Sequence, residues 1–434
     1  MLKLLRRYKM SAKVLILSKS GRNTNAEIRL TGSKSECNRA LILNALSNGI
    51  VQVENISSAE DTVTLFEILK ECKTEDRGQK SEAELKTVDI GPAGTAMRFL
   101  TAFFAVTGTE TIITGTERMK QRPIGLLVDA LRDLGAEISY VEKEGFPPLQ
   151  FSGSFEQQQK HIRVKGDISS QYITALLLIA PTLPLGLELE IEGELTSRPY
   201  VEMTLAMLKE AGISYEWQNQ TIVIPNQRFK PSTLIVEPDW SAASYWYSIA
   251  ALSDEAEIML PYLKKTSLQG DSRIAEIMEH FGVFTEFSDK GIKLVKKPIN
   301  ITKTAFDFKD CPDLAQTVVT CSAALGHNAV FTGLETLKIK ETDRVKALRN
   351  ELAKIGVSFT EDNQTYHLDC SGLHFPEKIT VKTYEDHRMA MAFAPLALKI
   401  KEVEIEEPEV TGKSYPAYWE DLKKAGFDYR FESL

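Results

Sequence analysis

The sequence is short of the residues that build metal and redox sites. Its five cysteines, Cys37, Cys72, Cys311, Cys321 and Cys370, are scattered, odd in number and never in a C-x-x-C pair. Neither a disulfide framework nor a thiolate zinc site is therefore expected, and they read as reduced packing residues. The six histidines form no H-E-x-x-H and join no cysteine cluster, so no metal and no cofactor is expected. No apolar run reaches the ~20 residues of a membrane span; residues 175–181 and their like are too short. Positive charge is in deficit: 52 Lys and Arg against 60 Asp and Glu give a net charge of −8. With no basic tail, that balance disfavours a nucleic-acid partner. Residues 1–10 are basic and partly apolar, yet no long apolar stretch or small-residue cleavage site follows them. A cytoplasmic location is expected, with Met10 an alternative start.

What the chain does have is a repeat. Amphipathic helices end at Gly135, Gly212, Gly282, Gly356 and Gly426, spaced 77, 70, 74 and 70 residues apart. Each glycine fits the position after a helix where a left-handed residue is wanted. A sixth copy, residues 62–72, has the periodicity without the glycine. A second series of almost uniformly apolar helices opens near Ser35, Thr95, Ser170, Ser241, Asp313 and Asp386, at intervals of 60, 75, 71, 72 and 73 residues. Their bodies (40–46, 99–106, 173–179, 245–252, 317–325 and 389–398) have the all-round apolarity of buried helices. Short β-rich runs lie between at 51–53, 111–114, 187–191, 221–224, 292–295 and 403–405. The unit is an α/β module of about 70 residues, with one buried helix, one surface helix and several strands. Six modules suit two groups of three. The chain crosses between groups near Glu237-Pro238-Asp239 and again near Leu30-Thr31, the strand at 14–16 pairs with the second group, and 74–86 is a surface insertion.

Polar residues collect at the helix openings, where free N–H groups and the helix dipole attract anions. Lys338-Ile339-Lys340-Glu341-Thr342-Asp343-Arg344 runs into the apolar series Val345, Leu348, Leu352 and Ile355. Helical spacing predicts Lys340, Glu341 and Arg344 on one first turn. Taken alone, this is an ordinary charged helix start, Ser169-Ser170 is a plain N-cap, and His387 on an apolar helix is a satisfied core histidine. Recurrence argues otherwise. Lys34, Arg39, Arg98, Arg122, Lys340, Arg344, Arg388 and Lys413 all stand at equivalent openings in an acidic chain. If the modules bring these openings to one cleft, it is strongly cationic and suits small, multiply anionic substrates held by bidentate arginines. Such crowding is expected to hold the two groups apart until anions arrive.

The segments GSKSECNRA, AGTAMR, RMKQRPIG, GDISSQYITALLL, SRPYVE, LQGDSR, KIKETDRV, YEDHRMAMAF and GKSYP, in this order, resemble the 5-enolpyruvylshikimate-3-phosphate synthase family. The likeness runs from about residue 28 to 419. It implies an α/β fold of two lobes, each of three repeated β-α-β-α-β-β units around buried parallel helices, with lobes at 32–238 and at 1–31 plus 239–434 and the active site between them. It implies transfer of the enolpyruvyl group of phosphoenolpyruvate to the 5-hydroxyl of shikimate 3-phosphate, with release of phosphate, in aromatic amino acid biosynthesis. By the same resemblance, Ser169, Ser170 and Ser197 would hold the shikimate phosphate. Ser35 and Arg39 would hold its carboxylate side, with Tyr200, Lys340 and Gln171 beside it. Arg122, Gln171 and Lys413 would grip the phosphate of phosphoenolpyruvate, with Gly94 allowing close backbone approach, and Arg344 and Arg388 would clamp its carboxylate. Asp313 would take the hydroxyl proton with help from Lys34, which borders both substrates, and Glu341 would serve the methylene carbon. A monomer is implied.

Some positions depart from the family pattern: Pro92 and Phe99 stand where many members have Asn and Pro, and Thr336 where Asn is common. These bear on the shape of the phosphoenolpyruvate pocket. Two alternatives remain. One is the related transferase acting on UDP-N-acetylglucosamine, whose loop before the Arg-Pro pair typically carries a cysteine that residues 115–122 lack. The other is a non-catalytic anion-binding repeat protein, in which Asp313 and Glu341 would be dispensable.

Overall fold

The computed structural model describes residues 13–75, 85–166, 170–298 and 300–433. The chain opens with β1 (Lys13–Ser18) and β2 (Thr24–Glu27), followed by a first unit of α1 (Lys34–Leu46), β3 (Val51–Glu54) and α2 (Glu60–Glu75). The second unit holds β4 (Thr87–Asp89), α3 (Gly94–Val106), β5 (Glu110–Thr114), the one-turn α4 (Glu117–Lys120), α5 (Gly125–Leu134), β6 (Ala136–Tyr140) and β7 (Leu149–Phe155). The third comprises β8 (His161–Lys165), α6 (Ser170–Ile179), β9 (Leu187–Glu192), α7 (Arg198–Glu210), β10 (Glu216–Gln218) and β11 (Thr221–Ile224), with β12 (Ser232–Ile235) after it. The fourth has α8 (Trp240–Leu252), β13 (Ala256–Pro261), α9 (Ile274–Glu279), β14 (Val283–Ser288) and β15 (Gly291–Lys296). The fifth has β16 (Ala305–Asp307), α10 (Ala315–Ala324), β17 (Ala329–Thr332), α11 (Arg344–Ala353), β18 (Ser358–Asp362) and β19 (Thr365–Asp369). The sixth has β20 (Lys378–Val381), α12 (His387–Phe393), β21 (Glu402–Glu406), α13 (Tyr418–Lys424) and β22 (Asp428–Ser433).

Five sheets repeat one pattern, a parallel pair extended by antiparallel strands: β4-β5-β7-β6, β8-β9-β11-β10, β2-β13-β15-β14, β16-β17-β19-β18 and β20-β21-β1-β22. The sixth is shorter, with β12 parallel to β3. Three strands therefore serve units distant in sequence. β1 completes the last sheet, as the strand expected near residues 14–16 should. β2 joins the fourth unit and β12 the first.

The apolar helices pack in two triads, α1 with α3 and α6, and α8 with α10 and α12. Buried side chains form two clusters to match. One runs from Cys37 to Val236; the other joins Leu15–Leu30 to Trp240 and the residues beyond it. The chain passes between them where Ser33 N donates to Glu237 O (2.8 Å) and Asp239 N to Thr31 O (3.0 Å). There Glu36 receives the Glu237 N–H at 2.6 Å. Four of the cysteines are buried, and none of the five is joined in a disulfide among the described residues.

Two helix readings need correcting. α11 begins at Arg344, so Lys340 and Glu341 lie in the bend before it and not on its first turn. The Asp343 carboxylate accepts from Lys346 N (3.0 Å), capping the helix there. The apolar body at 389–398 also divides. α12 stops at Phe393 and a 3₁₀ turn, Ala394–Leu398, follows, because Pro395 lacks an N–H and disfavours a helical residue before it. Of the insertion expected at 74–86, residues 74–75 are helical and 76–84 fall outside the described residues.

All five helix-ending glycines have positive φ. At Gly356 (φ +75°) a Cβ would also collide with the Gly372 carbonyl oxygen. Gly356→Ala is expected to lower the unfolding free energy by at least ~1 kcal/mol, read as a lower urea midpoint at unchanged m-value.

Candidate active site

Each buried triad sends its helix openings toward one cavity between the two clusters. Lys34, Ser35, Arg39, Gly94, Arg122, Ser170, Gln171, Ser197, Tyr200, Asp313, Lys340, Glu341, Arg344 and Arg388 line it. Lys413 reaches it through Glu341, Nζ to Oε1 at 2.9 Å. Every candidate is thus gathered except Ser169, which lies outside the described residues.

Among the described residues four of the eight cations, Lys34, Arg344, Arg388 and Lys413, carry a carboxylate. Arg344, 1% exposed, is shared by three: Nε meets Asp386 at 2.7 Å, Nη1 meets Asp313 at 3.1 Å and Nη2 meets Glu341 at 2.9 Å. Arg388 Nη2 holds the other Asp313 oxygen at 2.9 Å. Lys34 pairs with Asp61 at 3.2 Å. Arg98 instead ties the backbone, donating to Gly94 O (3.2 Å) and Pro123 O (2.9 Å) and so fixing the turn that carries Arg122.

Like Arg98, two further buried guanidiniums, Arg39 and Arg122, have no carboxylate partner among the described residues. Arg39 bonds only to neutral groups: Thr204 Oγ1 (2.9 Å), Ser35 O (2.7 Å), Thr174 Oγ1 and Tyr200 O (both 3.2 Å). It lies over the Phe99 and Tyr200 rings, 5.6 and 5.7 Å from their centroids. The departure at Phe99 therefore touches the Arg39 side of the cavity. Arg122 is buried with Nε lacking any hydrogen-bond partner, and among the described residues no carboxylate lies within ion-pair distance of it. Its guanidinium fits because residue 94 is glycine; a Cβ there would stand 2.5 Å from Arg122 Nη1. A desolvated cation without a counter-ion is unfavourable unless a ligand supplies one.

The field acts on the acids. Burial pushes the Glu341 carboxyl up, but Lys413, Arg344 and Arg122 outweigh it and hold the group well below the usual carboxylate range. Burial of Asp313 is likewise overcome by Arg388, Lys340 and Arg344, and its carboxyl is held low. Burial lowers Lys340, against the pull of Asp313, and brings Arg39 down to about 10. Asp271 goes the other way. Burial and then the nearby Asp313 push it up to about 7, while Ser241 Oγ donates to it.

Several residues in or behind the cavity wall were not assigned to it from the sequence. Asp61 and Asp386 are the counter-ions of Lys34 and Arg344, but such pairings span 27 and 42 residues and leave no local trace. His387 is not a satisfied core histidine. It lines the cavity, neither ring nitrogen has a hydrogen-bond partner, and burial with Lys34 and Arg388 nearby holds its pKa well below the usual value. Its place directly after the capping Asp386 was the available signal. Ser197 sits in the left-handed region (φ 55°) at the start of α7 without capping it, so its hydroxyl is not used by the helix. Among the described residues no group of three or more His, Cys, Asp or Glu side chains is arranged to hold a metal ion.

Two expectations follow. Arg122→Ala weakens binding of inorganic phosphate to the cavity by roughly 10- to 100-fold, the range for a charge-assisted contact of ~1.5–3 kcal/mol, measured by calorimetry; unchanged affinity contradicts an anion site there. Depressed carboxyls stabilise the fold fully above their unfolded pKa of ~4, and that stability is lost as pH falls. The decline in unfolding free energy between about pH 5 and pH 2 should therefore be shallower in Glu341→Gln. An equal slope would remove Glu341 from the linkage.

The profile of the family described as EPSP synthase (3-phosphoshikimate 1-carboxyvinyltransferase) matches residues 18–422. A 3-phosphoshikimate 1-carboxyvinyltransferase of Bacteroides fragilis (strain YCH46) is 48% identical over 405 residues, 93% of this chain and 95% of that protein. Its counterpart from Mannheimia haemolytica is 36% identical over 419 residues, 92% of this chain and 96% of that one. The structure of an EPSP synthase from Acinetobacter baumannii is similar in fold, with a TM-score of 0.72 at 18% identity over 97% of this chain and all of that one. The enolpyruvyl transferase NikO from Streptomyces tendae gives 0.71 at 15% identity, covering 98% of this chain and 100% of the other. With the family profile spanning nearly the whole chain, the protein belongs to the EPSP synthase family, the 3-phosphoshikimate 1-carboxyvinyltransferases.

Proposed function

We propose that the cavity performs the reaction of its family: the enolpyruvyl group of phosphoenolpyruvate passes to the 5-hydroxyl of shikimate 3-phosphate and phosphate leaves, a step in aromatic amino acid biosynthesis. The observation that carries this reading is a pair of ionised carboxylates, Asp313 and Glu341, set among buried cations of which Arg122 and Arg39 have no counter-ion. Ser170, Ser197 and, by motif, Ser169 hold the shikimate phosphate. Ser35, Arg39 and Tyr200 lie on its carboxylate side, with Lys340 and Gln171 alongside. The phosphate of phosphoenolpyruvate takes the vacant Arg122, with Gln171 and Lys413, over Gly94. Its carboxylate exchanges with Asp313 for Arg388 and for one arm of Arg344.

Addition comes first. Asp313, assisted by Lys34, accepts the 5-hydroxyl proton while the oxygen bonds to the central carbon of phosphoenolpyruvate and a proton from Glu341 adds to the methylene carbon. In elimination Glu341 takes a proton back from that carbon, the double bond reforms, and the carbon–oxygen bond to phosphate breaks, the leaving phosphate carrying off the proton that Asp313 accepted. Glu341 needs a proton to begin, yet Lys413, Arg344 and Arg122 hold it ionised. Two polyanions arriving among these cations neutralise the field and raise its proton affinity, so the acid forms when the substrates are in place. Orientation and preset charge supply most of the acceleration, without a covalent nucleophile.

No helix among the described residues is long and apolar enough to cross a membrane. A cytoplasmic monomer is the form we propose, the candidates other than Ser169 being gathered at one cavity within a single chain. The lobe boundaries at 32 and 238 are likewise ours, supported by the two buried clusters.

Phosphate release from phosphoenolpyruvate with shikimate 3-phosphate tests the reading. It should be absent with UDP-N-acetylglucosamine and fall at least about 100-fold in Glu341→Gln, the scale of a lost general acid–base group. Release with the sugar nucleotide would reassign the substrate. Silence with both would leave an anion-binding protein. Saturating both substrates at a hundred times their dissociation constants should also stabilise the fold by ~2.7 kcal/mol per ligand and reduce the radius of gyration; equal compactness with and without them would remove lobe closure.

A further inference from the structure

Arg118 lies outside the cavity lining and is exposed, yet it is the residue that reaches across the cleft to the chain beneath the reacting groups. Its Nε donates to the carbonyl oxygen of Glu341 at 3.1 Å and its Nη2 to that of Lys340 at 3.2 Å, over 223 and 222 residues of sequence. The third nitrogen is steadied by Gln121 Oε1 at 3.5 Å. The platform under it is firm for so short a helix. Thr116 caps α4 by accepting from Met119 N (3.3 Å), and Met119, 1% exposed, anchors the turn in the first cluster. The receiving segment has little else to hold its backbone. Residues 340–342 lie between the 3₁₀ turn Glu335–Ile339 and the start of α11, and among the described residues no main-chain N–H bonds either carbonyl. A bend carrying two charged side chains, free of helical hydrogen bonds, is therefore fixed by one fork from the opposite lobe.

We propose that Arg118 is a latch that sets the position of the Lys340–Glu341 segment when the cleft is closed, and so a positioning residue for the transfer. It aims the Glu341 carboxylate between Lys413 and Arg344 (both 2.9 Å). The planar guanidinium suits two adjacent carbonyls, which an ammonium cannot span in the same way. The latch rests on the role proposed above for Glu341, and it acts on chemistry more than on the serine pocket, which belongs to one lobe.

The test is steady-state kinetics of Arg118→Ala and Arg118→Lys beside Glu341→Gln and Lys120→Ala. Lys120 shares α4 with Arg118 but pairs outward with Glu117 and Glu142. Arg118→Ala should lower kcat at least about tenfold, the effect of losing ~1.4 kcal/mol of charged hydrogen bonding. The KM for shikimate 3-phosphate should change less than about twofold, with the melting temperature unmoved, as expected of an exposed side chain. Free guanidinium at millimolar concentration should restore part of kcat in Arg118→Ala and none in Lys120→Ala. Arg118→Lys should fall between wild type and Arg118→Ala. If kcat is unchanged in Arg118→Ala, if its loss follows a fall in melting temperature, or if guanidinium restores nothing, the latch is wrong. If Glu341→Gln keeps full activity, the role of Glu341 fails instead, and the two failures are told apart by which variant is silent.

Discussion

The constraint on which this protein depends is the burial of many like charges in one place. Eight cations converge where two helix triads open, in a chain that is acidic overall. Packing alone would not tolerate this, because each desolvated charge is costly unless it is paired. The fold answers with interleaved carboxylates. Asp386, Asp313 and Glu341 share Arg344, and Asp61 faces Lys34. Of the guanidiniums it leaves without a carboxylate, Arg98 is taken up by the carbonyls of Gly94 and Pro123, and Arg122 and Arg39 are the places where an anion can do what no side chain does. In the structure the lobes meet through Arg118, through Lys413 on Pro92 O (3.2 Å) and through Ser197 N on Lys309 O (3.3 Å).

Architecture serves that arrangement. Repeating one β-α-β-α-β-β unit places equivalent helix starts on one side of each lobe, so a site assembled from many distant segments needs no long functional loop. The crossings at 31–34 and 236–239 let the lobes differ in content while remaining joined by two short segments that meet at one antiparallel bridge, Gly32 with Pro238. Strands β1, β2 and β12 each complete a unit far away in sequence, tying the termini and the crossings into the sheets.

The repeat was legible because its signals are local: a glycine forced by positive φ at the helix end, and all-round apolarity in the buried helix. So was the collection of cations, since each stands at an opening. Partnership was not legible. That Arg98 fixes a turn, that Arg344 is saturated by three acids, and that the His387 ring lacks a hydrogen-bond partner all depend on residues brought together by the fold. The misplaced helix start at Lys340 had a readable sign, Asp343 immediately before Arg344, a good cap that ends the bend where it stands. Pro395 was a sign of the same kind.

The most direct examination of the account is a crystal structure of Glu341→Gln with shikimate 3-phosphate and phosphoenolpyruvate both bound. One phosphate is expected at about 3 Å from Arg122, the other on Ser170 and Ser197, and a carboxylate on Arg388. Both phosphates lying away from Arg122, with its guanidinium still unpaired, would contradict the claim that the fold keeps this cation free for substrate.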